Sequence, residues 1–267
     1  GLPMAQERRA PGSFRALDET LDRIRVRHPA FFANDVEIGL TLTGATLGLL
    51  AGSVDYFLAK GIARLRVAPC LTHDPDWRAD RIDELDRQFA RIFRACSRQF
   101  RRTGEVSFGP FRRTRSGPNR PVVEGQPICG AATGDSPVVD VHGKMHGCVM
   151  AAGCYQTFPS SYLRETLAPL RLGRVGDKLC REKLADYRAA ARASGLFHHT
   201  EARRSSLGRC RDCRHRERCF VCPISIGHVP GNRDPHRVPD FQCAFNRTAL
   251  DHRARFPRQP TVAERLT

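Results

Sequence analysis

The chain has 267 residues, 44 Lys and Arg against 28 Asp and Glu, a formal charge of +16, and eleven cysteines, enough length to bury one large core or two small ones. No run of about 18 apolar residues occurs, and Gly1-Leu-Pro-Met-Ala-Gln-Glu-Arg-Arg lacks the apolar stretch of a signal peptide, which excludes a membrane span and predicts a cytoplasmic location. An odd cysteine count in a chain with no secretory signal argues against a disulfide framework and favours thiolates that bind metal.

In chain order, Ser13 is suited to cap a helix whose apolar face is Phe14, Leu17, Leu21 and Ile24, with His28-Pro29 ending it. The β-branched, alternating stretch Val36 to Thr43 reads as a strand, followed by a turn at Gly44. Thr46 to Lys60 then reads as a helix with Leu47, Leu50, Val54 and Phe57 on one face and Gly61 closing it. Ala63 to Pro69 is a second strand. Asp80 opens a long helix with Ile82, Leu85, Phe89, Ile92, Cys96 and Phe100 in one stripe, stopped at Thr103-Gly104. This alternation predicts an α/β arrangement with parallel strands. Two strands make neither a barrel nor a stable sheet alone, so more strands are expected from preceding sequence or from another subunit, the former being favoured.

Residues 104 to 128 have linker composition, rich in Gly and Pro, and a second domain is expected after them. In it, Pro137 to His142 and Lys144 to Cys148 flank Gly143, so a tight hairpin would bring Cys148 beside the strand that follows Cys129. A helix from Asp177 to about Ser194, with Leu179, Leu184, Tyr187 and Ala191 inward and Gly195 after it, leads to the densest cysteines. The expected domains are therefore 1–125, 126–250 and a tail at 251–267.

Cys210-Arg-Asp-Cys213, five residues, and Cys219-Phe-Val-Cys222-Pro223 place four thiols within thirteen residues. Two CxxC pairs suit a four-thiolate zinc site, but zinc modules usually separate the pairs by a dozen residues or more. Iron–sulfur ligation suits the run better, because in ferredoxin-type runs the cysteine before proline serves a different cluster from the others. Cys222 precedes Pro223. That split groups Cys210, Cys213 and Cys219 with Cys243, and Cys222 with Cys129 and Cys148. Cys96 reads as a core residue, Cys70 and Cys180 as packing residues, and Cys154 as either packing or a further ligand. Of the histidines, only His146 is placed to reach a metal. The arginines cluster at Arg203, Arg204, Arg209, Arg211, Arg214, Arg216 and Arg218. They permit phosphate contacts, but no aromatic platform or recognition helix accompanies them, so nucleic acid is not expected as a partner. A background of arginine-rich composition is the simpler reading; a local one is that guanidinium groups offset the net negative charge of a thiolate-bound cluster.

Cys129, thirteen residues, Gly143, four residues, Cys148, a long gap, then CxxC, five residues, Cys219, Cys222 and finally Cys243 resembles the SPASM domain of radical SAM enzymes. Phe220 and Val221 make the step before Cys222 two residues, where the family usually has three. The first part resembles the closing third of the family's partial (β/α)6 barrel, with Val36 to Thr43 and Ala63 to Pro69 as its last two strands. The implied fold is the C-terminal part of a radical SAM barrel followed by a small cysteine-rich domain with a β-hairpin and helices.

The resemblance implies two auxiliary 4Fe-4S clusters, a distal one on Cys210, Cys213, Cys219 and Cys243 and one nearer the barrel on Cys129, Cys148 and Cys222. The fourth position of the latter is open, or filled by Cys154 or Asp135. S-adenosylmethionine and a third 4Fe-4S cluster are implied for the full-length enzyme. The CxxxCxxC loop that would hold that cluster is not in this sequence, so the chain is expected to be the C-terminal portion of a longer enzyme and inert with S-adenosylmethionine alone. The implied activity is modification of a ribosomal peptide or protein through a 5′-deoxyadenosyl radical, with flavodoxin or ferredoxin as electron donor and no membrane partner. Sulfatase maturation to formylglycine is the alternative; there an acidic residue follows the second cysteine, where Val149 stands here. A reading of another class is a non-enzymatic zinc–thiolate binding module.

Overall fold

A computed structural model describes residues 2–7, 10–112, 123–152, 161–168, 170–177 and 181–257. The chain divides into two units, one of Gly1–Cys70, Asp74–Arg115 and Ala244–Thr267, the other of Leu71–His73 and Ser116–Cys243. The sequence-based boundary at residue 125 lies later than this division, and residues 251 to 255 extend a helix where a tail was expected. No helix among the described residues is long and apolar enough to cross a membrane.

The first unit contains the helices α1 (Pro3–Gln6), α2 (Ser13–Arg27) and α3 (Pro29–Asn34), then strand β1 (Glu37–Leu42), helix α4 (Leu50–Ala59), strand β2 (Arg64–Pro69) and helix α5 (Ile82–Thr103). β1 and β2 pair in parallel, from Glu37 opposite Arg64 to Leu42 opposite Pro69. Alternation places Leu65, Val67 and Pro69 inward, with Arg64, Arg66 and Ala68 outward. α4 buries Leu50, Val54 and Phe57, and α5 buries Leu85, Phe89, Ile92 and Cys96, the stripe that the spacing predicts. Phe89 meets Phe108, Phe111 and Phe245 edge-on, at centroid distances of 5.8, 6.2 and 5.5 Å.

Three local readings need correction. Gly12, in the left-handed region at φ 77°, occupies the N-cap of α2, so Ser13 is the first helical residue. Pro29 starts α3 rather than only stopping α2, because proline suits the first turn of a helix. The expected helix from Thr46 begins as a 3-10 turn, Gly44–Leu49, capped by Thr43. The buried Gln88 fixes its passage into α4 by accepting from the Ala51 N–H at 2.9 Å and donating to the Gly48 carbonyl at 3.1 Å.

The second unit contains β3 (Val138–Val139), β4 (Lys144–His146), α6 (Ser161–Leu167), β5 (Arg171–Arg174), α7 (Arg181–Ala193), β6 (Arg204–Ser205), β7 (Gly208–Arg209) and α8 (Pro223–Gly227). The helix α9 (Asp240–Arg255) begins here and ends in the first unit. β3, β4 and β5 form an antiparallel sheet in that order. The expected hairpin is present, but shorter, and Gly143 in its turn has φ 73°. β5, which the sequence did not announce, flanks it. Of the helix expected from Asp177, the described part starts at Arg181; Tyr187 and Ala191 are buried, whereas Leu179 lies outside the described residues. One core gathers Leu163, Leu170, Leu172, Tyr187, Leu196 and Ile224.

Candidate metal centre

Five of the seven singled-out cysteines, Cys129, Cys148, Cys219, Cys222 and Cys243, are half-buried against that core. No disulfide joins any of the described cysteines.

Cys129, Cys148 and Cys222 share one local design. Each stands in extended backbone immediately before a short helical turn, Gly130–Ala132, Val149–Ala151 and α8 respectively. Burial pushes all three thiols upward, Cys222 to about 11. The amides that follow act the other way, those of Ala131 and Ala132 at Cys129, Met150 and Ala151 at Cys148, and Ile224 and Ser225 at Cys222. They favour the thiolate without closing to full capping hydrogen bonds. Such N–H groups turned toward sulfur are what a thiolate ligand uses when metal removes its proton. The three thiols also lie within electrostatic reach of each other, since Cys148 acts on Cys129 and both act on Cys222.

Tyr187 holds two of these turns together. It is 2% exposed, and its hydroxyl donates to the Ala131 carbonyl at 2.6 Å. Its ring lies so close to Gly147 that a Cβ there would meet the hydroxyl oxygen at 1.7 Å. Gly147 therefore has to be glycine for the Cys129 and Cys148 turns to share this side chain.

The second group forms on a hairpin. β6 and β7 pair antiparallel, and the Cys210 N–H donates to the Arg203 carbonyl at 2.8 Å, extending the pairing at the end away from the turn. Cys210 and Cys213 bracket one 3-10 turn, with the Cys213 N–H on the Cys210 carbonyl at 3.0 Å; a second turn, Arg216–Arg218, ends at Cys219. Cys243 sits in the first turn of α9. Burial raises the Cys210 thiol to about 11, Cys243 and Cys213 push it further up, and Arg203 pulls it down. Arg203 also feels Cys219.

The remaining candidates are placed as follows. His146 is buried, and its Nε2 faces Asp140 Oδ2 at 3.2 Å, which ties the ring into the hairpin. Asp140 also accepts from the His142 and Lys144 amides at 2.8 and 2.9 Å. Asp135, considered as a fourth ligand, is exposed and pairs with Arg188 at 3.2 Å. Cys154 and Cys180 lie outside the described residues. Cys96 is buried in the stripe of α5, and burial raises its thiol to about 12. Among the described residues no three His, Cys, Asp or Glu side chains close around a point as a single metal ion requires.

The arrangement can be compared with known proteins. A solved structure of hexahistidine-tagged anSMEcpe with bound AdoMet is similar in fold, with a TM-score of 0.50 and 14% identity over 81% of this chain and 52% of that one. The chain thus spans about half the length of the structure it matches. No family model and no curated protein matches the sequence. The mixed α/β fold is therefore shared with part of that structure.

Proposed function

We propose that the chain belongs to a radical SAM enzyme that modifies a peptide or protein, and that its second unit is an auxiliary iron–sulfur domain. The carrying observation is the sorting of cysteines far apart in sequence into two groups, Cys129, Cys148 and Cys222 in one, Cys210, Cys213 and Cys243 in the other, with Cys219 linked to the latter by Arg203. The half-buried thiols of the first group, set against apolar side chains and backed by backbone amides, fit a group that arrives with its own iron and displaces their protons. A tetrahedral zinc site draws its sulfurs to about 2.3 Å from one ion. The five-residue step between the two CxxC pairs and the proline after Cys222 favour iron–sulfur over such a zinc module. When bound, the clusters would supply a path for an electron leaving the substrate, or an iron at which substrate binds. The chain's own residues position the thiols, keep the first group half-buried against an apolar core, and place arginines around the second. S-adenosylmethionine, a third cluster and a flavodoxin- or ferredoxin-like donor belong to this reading of the intact enzyme.

A second reading has its own support, because anSME abbreviates anaerobic sulfatase-maturating enzyme. Val149 follows Cys148 and is exposed, so a formylglycine-forming enzyme would need its base on another residue. Peptides bearing a sulfatase cysteine or serine, offered to the intact enzyme and weighed by mass spectrometry, separate the two readings. The shared reading is tested by metal and sulfide analysis of anaerobically prepared protein. About eight iron atoms per chain are expected from two four-iron clusters. Colourless protein carrying zinc and neither iron nor sulfide would overturn it.

A further inference from the structure

Arg203 is 5% exposed, the most buried arginine in the neighbourhood of the Cys210 group. Its Nη2 donates to the carbonyls of Leu196 and His198 at 2.7 and 3.1 Å, while its buried Nε finds no partner among the described residues. The backbone pairing of Arg203 with Cys210 fixes the side chain's origin beside the thiols. A guanidinium stays charged even when buried, and carbonyl dipoles do not neutralise it. Glu124 acts on it only at range, after Cys210 and Cys219, and spends one carboxylate oxygen on the Glu201 amide at 2.8 Å. The other arginines here, Arg204, Arg209, Arg211, Arg214, Arg216 and Arg218, are exposed, and water screens them. A buried cation with an unused donor, facing neutral carbonyls, is a charge that an anion beside it would balance.

We infer that Arg203 is a positioning residue: it is the internal counter-cation of the second cysteine group, held in place for an anionic iron–sulfur cluster on Cys210, Cys213, Cys219 and Cys243. This rests on the iron–sulfur reading above. A positive charge at this place stabilises the reduced, more negative state of the cluster, and it opposes folding when the cluster is absent.

The test compares Arg203→Gln, which keeps a donor for the carbonyls and loses the charge, with Arg203→Lys, which keeps the charge. In reconstituted protein the signal of the second group is the one abolished by Cys213→Ser. Redox titration should show its reduction constant about tenfold lower in Arg203→Gln, about 59 mV for a one-electron couple, and near wild type in Arg203→Lys. Metal-free Arg203→Gln should melt above metal-free wild type, and the loaded variant below loaded wild type. An unchanged potential, or equal destabilisation of both forms, would make Arg203 a packing residue and overturn the inference. If Arg203→Gln does not fold, protein labelled with 15N-arginine decides: the Nε–H resonance missing from Arg203→Lys should be hyperfine-shifted in loaded wild type, and an unshifted resonance refutes the proposal. Iron analysis keeps the two claims apart. Wild type with about eight iron atoms and no effect at Arg203 sinks only the inference. Wild type without iron sinks the underlying reading and the inference with it.

Discussion

Gly147→Ala isolates the packing that joins the Cys129 and Cys148 turns. The new Cβ would stand 1.7 Å from the Tyr187 hydroxyl oxygen and 2.4 Å from its ring carbon Cζ. Gly147 is absent from the glycines with positive φ, so the cost comes from overlap and not from backbone strain. Forcing the ring aside is overpacking, about 1–3 kcal/mol. It also strands the Ala131 carbonyl that now accepts from Tyr187 at 2.6 Å, a further loss of about 1–3 kcal/mol. A total near 3 kcal/mol lowers the melting temperature by on the order of 10 °C, at about 2–4 °C per kcal/mol for a chain of this size. The measurement is thermal melting of the metal-free, reduced protein, with iron analysis after reconstitution as a second readout. Because Cζ remains in the way when the hydroxyl is removed, Tyr187→Phe should not rescue Gly147→Ala. Tyr187→Leu should rescue it in part, and the cycle should be non-additive by about 1 kcal/mol. A shift of less than about 2 °C in Gly147→Ala would show that Tyr187 does not hold the two turns, since surface changes stay within about 0.5 kcal/mol.

Three other outcomes are expected. Cys213→Ala in loaded protein should expose residues 205 to 220 to protease while 221 to 241 stay protected by the buried Val221, Ile224, Ile226, Val238 and Phe241; equal resistance throughout would show that the loop needs no metal. The Lys144 amide first, then His146 and the His142 amide, hold the Asp140 carboxyl at about 2, below its ordinary value of about 3.9. The hairpin's stability from Asp140 is therefore present above that ordinary value and lost as pH falls toward 2; amide exchange at Lys144 should accelerate in this window, and an equal acid response in Asp140→Asn would refute the assignment. Burial, with Asp55 adding, holds the Cys96 thiol at about 12, so its contribution is complete below the ordinary thiol value of about 8.5 and fades as pH rises toward 12. Cys96→Val should flatten the alkaline limb of the stability curve, and an unchanged limb would mean that other groups set it.

The elements most legible in the sequence were those with long, unambiguous periods. The stripe Leu85, Phe89, Ile92 and Cys96 repeats over α5, and β1 and β2 alternate, so their existence and parallel pairing followed from pattern alone. Short elements held together by contacts remote in sequence were not legible. β5 is four residues, Arg-Leu-Gly-Arg, with Gly173 at φ 115°, and it forms a strand only because β4 offers it an edge. The 3-10 entry to α4 likewise depends on Gln88, which lies 40 residues beyond Gly48. Local propensity carries no trace of either partner.

At the candidate centre the same division explains which parts were visible. Cysteine is conspicuous, so two groups could be proposed from its spacing before any geometry was known. What surrounds them could not. Tyr187 appeared only as an inward position of a helix, although Gly147 directly before Cys148 was a signal that some large side chain passes there. Arg203 was one of seven arginines in a basic stretch, and only burial separates it from the other six. A charge run in a sequence cannot reveal which member loses its water, because that depends on where the chain turns. Here β6 and β7 turn so that Arg203 pairs with Cys210, and the arginine left dry is the one whose backbone holds a thiol in place.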